Sequence, residues 1–138
     1  MVNILFLCKY NRFRSRYAEA YFRKFYKDIK VRSAGIIRGS YPLDSNQVSI
    51  AKERGINLKG RPRGISTDLL KWLDILIIAA DDVPSELFNN YTYCKKLIVW
   101  DIPDVKSGSK EEIKRIMINI EENINIFIVE LKNGKKRI

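Results

Sequence analysis

The sequence predicts a three-layer α/β domain: four parallel strands, expected in the order 2-1-3-4, with helices on both faces. Three observations predict it. The runs 2–7, broken only by Asn3, and 75–80 are apolar, as strands covered on both faces are. The first run is followed by an amphipathic helix and a short second strand, a βαβ unit whose strands are parallel and whose crossover is right-handed. The closing segment, 109–131, repeats apolar residues at helical spacing and so supplies a long covering helix.

The elements follow in order. Residues 2–7 form the first strand. Residues 15–27 read as a helix, with Ala18, Phe22 and Phe25 on one stripe, Tyr17 and Tyr21 at its edge, and Arg16, Glu19, Arg23 and Lys24 elsewhere. Residues 29–33 are a short strand with Ile29 and Val31 on one face. Residues 36–43 are a loop broken by Gly39 and Pro42. Asp44, paired with Gln47, caps a helix running to about Arg54, and Gly55 stops it. Residues 56–64 are irregular and basic, with Lys59, Arg61 and Arg63. Ser66 caps a short helix over 67–72. Asp74 opens the buried strand 75–80, residues 81–90 make a short helix or turn, and 95–100 is the fourth strand. In the last helix Ser109 and Glu112 form a capping box, and Ile113, Met117, Ile120, Ile124, Ile128 and Leu131 form the core stripe.

The chemistry concentrates between the first strand and the first helix, in Cys8-Lys9-Tyr10-Asn11-Arg12-Phe13-Arg14-Ser15. A loop that curls between those two ends turns its backbone N–H groups, and those of the first helical turn, into one small space. Unpaired amides and the positive end of the helix dipole bind anions. The same field favours Cys8 as a thiolate, the reactive form of the side chain. Arg14 adds a planar fork of donors that grips two oxygens of a tetrahedral oxyanion. Ser15 can give a hydrogen bond to the sulfur. A small buried cysteine ending a strand is the plain alternative, but it leaves Arg14 and Asn11 without a reason.

Cys-x5-Arg-Ser after an N-terminal strand, with asparagine inside the loop, resembles the low-molecular-weight protein tyrosine phosphatase family. That family shares its fold with the thioredoxin-coupled arsenate reductases. The resemblance spans nearly the whole chain and is densest over residues 2–16, with further matches at Ser33-Ala34-Gly35, Gly55-Ile56-Asn57 and residues 99–104. It implies a cysteine-dependent phosphomonoester hydrolase, most readily a protein tyrosine phosphatase, working through a phosphocysteine on Cys8. Residues 9–14, Lys9, Tyr10, Asn11, Arg12, Phe13 and Arg14, would cradle the phosphate. Ser15 and Ser33 would support the loop, Ser33 by holding Asn11, although Ser33 also reads as a plain strand end. The general acid aligns with Asp104 in Trp100-Asp101-Ile102-Pro103-Asp104, with Asp101 as the fallback. Tyr41 and Arg38 are candidates for the rim of the site.

The chain departs from the family pattern at Tyr10 for a glycine, Phe13 for a second cysteine, Arg16 for a proline, and Val105 for the proline after the acid. Without a second loop cysteine, no protective disulfide can form there. Members that act on phosphoarginine carry a small threonine where this chain has Arg12. Two rival readings remain. Arsenate reduction needs two further cysteines after the third strand, and residues 79–88 hold none. A non-catalytic phosphate- or phosphopeptide-binding module would keep the pocket and lack turnover.

The whole-chain bounds agree. A length of 138 residues, 46% hydrophobic and 30% charged, fits one globular domain over 1–138. Cys8 and Cys94 make no disulfide framework, so a cytoplasmic, reducing setting is expected. The apolar start is too short for a signal peptide, and no stretch reaches transmembrane length, so no membrane partner is expected. A net charge of +10 points to acidic partners. Part of it is the tail 132–137, and without an RNA- or DNA-binding motif nucleic acid is not expected. The expected partners are a phosphotyrosine protein or other aryl phosphate, with inorganic phosphate as product and inhibitor. No metal or cofactor is called for. With no histidine in the chain, nothing but the loop, Arg14 and the helix end can activate the thiol.

Overall fold

A computed structural model of the chain describes residues 2–88 and 96–136. β1 (Asn3–Cys8) leads through a tight loop into α1 (Arg14–Phe25), and β2 (Lys30–Gly35) follows. Then come α2 (Ser45–Glu53), α3 (Thr67–Trp72), β3 (Ile75–Ala79), a 3₁₀ turn (Ser85–Phe88), β4 (Lys96–Trp100) and α4 (Lys110–Lys136). The strands pair in the order β2-β1-β3-β4, all parallel. β1 therefore lies between β2 and β3, and the chain changes direction across the sheet at β1. In an open α/β sheet that switch leaves a crevice beyond the strand C-termini, where ligands bind. Cys8 closes β1 at that edge and pairs with Gly35 of β2.

Strand alternation splits the core into two layers. Ile4, Phe6, Ile75, Ile77 and Ala79 face Tyr17, Phe22, Met117, Ile120 and Ile124 of α1 and α4. Leu5, Leu7, Leu76 and Ile78 face Leu69, Leu73, Val83 and Phe88 on the other side. The last-helix stripe is buried as its spacing predicts, from Ile113 to Ile128. Asp44 caps α2 through Gln47 N at 3.0 Å, and Ser66 caps α3 through Leu69 N at 3.2 Å.

Several sequence expectations need correction. α1 begins a residue earlier than expected, at Arg14, and ends at Phe25, whose ring is exposed rather than packed on the stripe. Tyr17 is no edge residue: it is fully buried and donates its hydroxyl to Glu121 at 2.6 Å. Arg16 and Glu19 are buried too, because the connector 56–64 lies across that side of the helix. The box at α4 is half made. Ser109 Oγ accepts from Glu112 N at 3.2 Å, but the Glu112 carboxylate turns instead to the amides of Lys106, Ser107 and Gly108. Of the elements expected at 81–90 and 95–100, residues 89–95 lie outside the described residues, Cys94 among them.

Candidate active site

The loop between β1 and α1 folds over the Cys8 sulfur. Ser15 Oγ lies 3.0 Å from Sγ, and the Asn11 amide donates to Sγ at 3.3 Å. Asn11 takes the left-handed conformation, φ 56°, which asparagine tolerates better than most residues. Its side chain is fully buried and satisfied. Nδ2 donates to Ser15 Oγ at 2.8 Å and to Ser33 Oγ at 2.9 Å, while Oδ1 accepts from Arg16 Nη2 at 2.8 Å and from Arg63 N at 2.9 Å. Ser33 in turn donates to Glu19 at 2.7 Å. The chain Glu19–Ser33–Asn11–Ser15–Cys8 therefore runs from the middle of α1 to the sulfur, wholly inside the protein. Such a network orders its members more strongly than isolated pairs do.

The loop is held from outside as well. The amides of Ile36, Ile37 and Gly39 donate to the carbonyls of Cys8, Lys9 and Tyr10, each at 3.0 Å. Arg12 reaches across, donating from Nε to Ser40 O and from Nη2 to Pro42 O, both at 3.1 Å. These bonds fasten the rim segment expected at 36–43 to the loop.

A small cavity of about 70 Å³ opens over Cys8, lined by Tyr10, Arg12, Phe13, Arg14, Gln47 and Asp104. Asp104, after β4, thus shares one cavity with Cys8, whereas the fallback acid Asp101 does not line it. Tyr10 stands at the entrance, 39% exposed. Lys9 does not line the cavity; its ammonium lies 5.3 Å from the Tyr10 ring. Of the two rim candidates, Tyr41 instead carries the Arg61 guanidinium 4.5 Å over its ring, and neither Tyr41 nor Arg38 lines the cavity. Gln47, whose sequence signal was only a cap, does line it.

Arg14 is 3% exposed. It donates from Nη1 to Ile102 O at 3.0 Å, and from Nη2 to both oxygens of Asp82 at 3.0 and 3.1 Å. Asp81 and Asp104 lie farther off, at 3.8 and 3.9 Å. Sequence reasoning missed Asp81 and Asp82. Their signal was their place directly beyond the buried strand β3, at the sheet edge that carries Cys8. Burial pushes the Arg16 guanidinium below its ordinary value; Glu19 offsets part of this, Arg63 adds to it and Cys8 again offsets it. Among the described residues, no His, Cys, Asp and Glu cluster is placed to hold a metal ion, and no helix is long and apolar enough to cross a membrane.

In solved structures the same fold recurs. A protein tyrosine phosphatase from Entamoeba histolytica superposes with a TM-score of 0.84 at 22% identity, over 98% of this chain and 99% of its own. The YwlE arginine phosphatase from Geobacillus stearothermophilus gives 0.83 at 21%, over 99% and 97%. An arsenate reductase from Archaeoglobus fulgidus gives 0.70 at 24%, over 91% and 98%. No curated protein matches by sequence. The family model for low molecular weight phosphotyrosine protein phosphatases matches residues 3–137. With that match running over nearly the whole chain, the chain belongs to the low molecular weight phosphotyrosine protein phosphatase family.

Proposed function

We propose that the protein hydrolyses aryl phosphate monoesters, phosphotyrosine first among them, through a phosphocysteine on Cys8. The observation that carries this reading is the cavity that Cys8, Arg14 and Asp104 share. Cys8 Sγ attacks phosphorus opposite the leaving oxygen. The Arg14 fork and the loop amides hold the non-bridging oxygens, where preorganised charge does most of the work. As the P–O bond breaks, Asp104 gives its proton to the leaving phenol oxygen. Its carboxylate then takes a proton from water, which attacks the phosphocysteine and releases inorganic phosphate and the thiolate. Ser15 Oγ, 3.0 Å from the sulfur, can donate to the thiolate that leaves.

The arsenate reductase reading lacks its electron relay. The chain has two cysteines, and none lies in the described segment after β3. The binding-module reading is an outcome of the test. Hydrolysis of p-nitrophenyl phosphate is measured for the wild type, Cys8→Ser, Arg14→Ala and Asp104→Asn. Metal-independent turnover is expected, lost in the first two variants. Asp104→Asn should lose about 10²- to 10³-fold on esters with poor leaving groups and much less on activated ones, since only the former need a proton. A wild type that binds phosphate without turnover would make the protein a binding module.

A further inference from the structure

Arg16 is an expensive residue where it stands. It lies in the first turn of α1, where the helix dipole is positive and no acidic side chain is present. It is 6% exposed. Its four acceptors are all neutral: Asn11 O at 3.1 Å, Asn11 Oδ1 at 2.8 Å, Lys59 O at 2.8 Å, and Arg61 O. Among the described residues it forms no ion pair. The neighbouring acid, Glu19, is taken up by Ser33 at 2.7 Å and Arg23 at 3.0 Å. A buried charge held by no ion pair is costly, so what it holds in place is informative.

Two of its bonds converge on Asn11, at φ 56°. The Asn11 carbonyl belongs to the peptide that ends in the Arg12 N–H. In a trans peptide the C=O and N–H point in opposite directions. Pulling Asn11 O back toward Arg16 therefore turns the Arg12 N–H away from the Arg16 guanidinium, and Arg12 is one of the residues that line the cavity. Among the described residues that N–H finds no backbone acceptor. The bonds from Arg16 to Lys59 O and Arg61 O clamp the same guanidinium to the connector, so it cannot follow the loop if the loop relaxes.

We propose that Arg16 is a positioning residue for phosphate binding: by holding both carbonyl oxygens of Asn11, it aims the Arg12 amide at the bound phosphoryl group. This rests on the reading of the loop as a phosphate site. It gives this chain a polar clamp at the place where the family pattern has a proline, which fixes backbone by its ring and donates nothing. Lysine would be a poor substitute, because one ammonium cannot reproduce a fork that serves four acceptors.

The test uses the full chain with inorganic phosphate as the probe. Phosphate protection of Cys8 from iodoacetamide gives the affinity, and ¹⁵N NMR follows the Arg12 amide. In the wild type the Arg12 amide proton should move downfield as phosphate binds. In Arg16→Met the affinity should fall about tenfold or more, the value of a lost charge-assisted hydrogen bond, and the Arg12 shift should disappear. Arg16→Lys should fall between the two, and it carries the comparison if Arg16→Met does not fold. A folded variant that keeps the Arg12 shift and binds phosphate within twofold of the wild type overturns the proposal, whatever its melting temperature. A wild type that binds no phosphate removes the functional reading as well, a distinct result from failure of the clamp alone.

Discussion

Arg14 and Asp82 form an ion pair at the mouth of the loop, Nη2 lying 3.0 Å from one carboxylate oxygen and 3.1 Å from the other. Arg14 is buried, while Asp82 is about one-third exposed. In the proposed reaction the Arg14 guanidinium receives a phosphate dianion, and it is held by an anion that the dianion would repel. Asp82→Asn keeps the shape and removes the charge. Competitive inhibition of aryl phosphate hydrolysis by inorganic phosphate should tighten about three- to tenfold, with kcat changed less. Weaker inhibition would mean that Asp82 serves mainly to orient Arg14.

How far the sequence reached can be seen within one helix. The loop was legible because its signal is local: a strand end, five residues and a helix start within one short stretch. Ala18 and Phe22 were legible because a buried stripe repeats with the helical turn. Arg16 and Glu19 were not. A charged residue off the stripe is expected to face water, and nothing local tells that the connector, more than 40 residues on, covers that side with its carbonyls. Phe25 failed the other way: an aromatic ring on the stripe is left uncovered at the helix end. Asp82 was hidden because its partner, Arg14, is 68 residues away in the chain.

Gly35 is where β2 must approach the loop most closely. A Cβ built there would lie 2.6 Å from Ile37 O, 2.7 Å from Tyr10 C and 2.8 Å from Asn11 N, all backbone atoms. None of them can rotate aside as a long side chain could. Gly35→Ala must therefore displace the loop between β1 and α1, β2 or both. It should lower kcat/KM for aryl phosphate by about 100-fold or more, since small misplacements of a reacting group carry costs of that order. The control is Gly134→Ala, whose Cβ meets nothing within 4 Å, and which should leave activity unchanged.

Tyr17, Glu121 and Arg54 join three helices behind the sheet. Glu121 accepts from Tyr17 Oη at 2.6 Å and from Arg54 Nε at 2.9 Å and Nη2 at 2.6 Å. Burial pushes the Glu121 carboxyl up, but the hydrogen bonds from Arg54 and Tyr17 and the Arg54 charge outweigh it, and the group is held below its ordinary value. Its folded value being depressed, its contribution is complete above the ordinary carboxylate value of about 4.3 and is lost as pH falls through the lower folded value. Tyr17 runs the opposite way. Burial, then the bond and charge of Glu121, raise its phenol. Its contribution is complete below about 10 and is lost only as pH rises through the raised value. Urea unfolding of the wild type and Glu121→Gln should therefore differ most near pH 7 and converge in acid, as pH falls through the depressed folded value. Tyr17→Phe should cost about 1 kcal/mol at pH 7, the usual net value of one hydrogen bond. A gap between wild type and Glu121→Gln that stays constant from pH 7 down through acid would show that the pair acts through packing, with its charge contributing nothing.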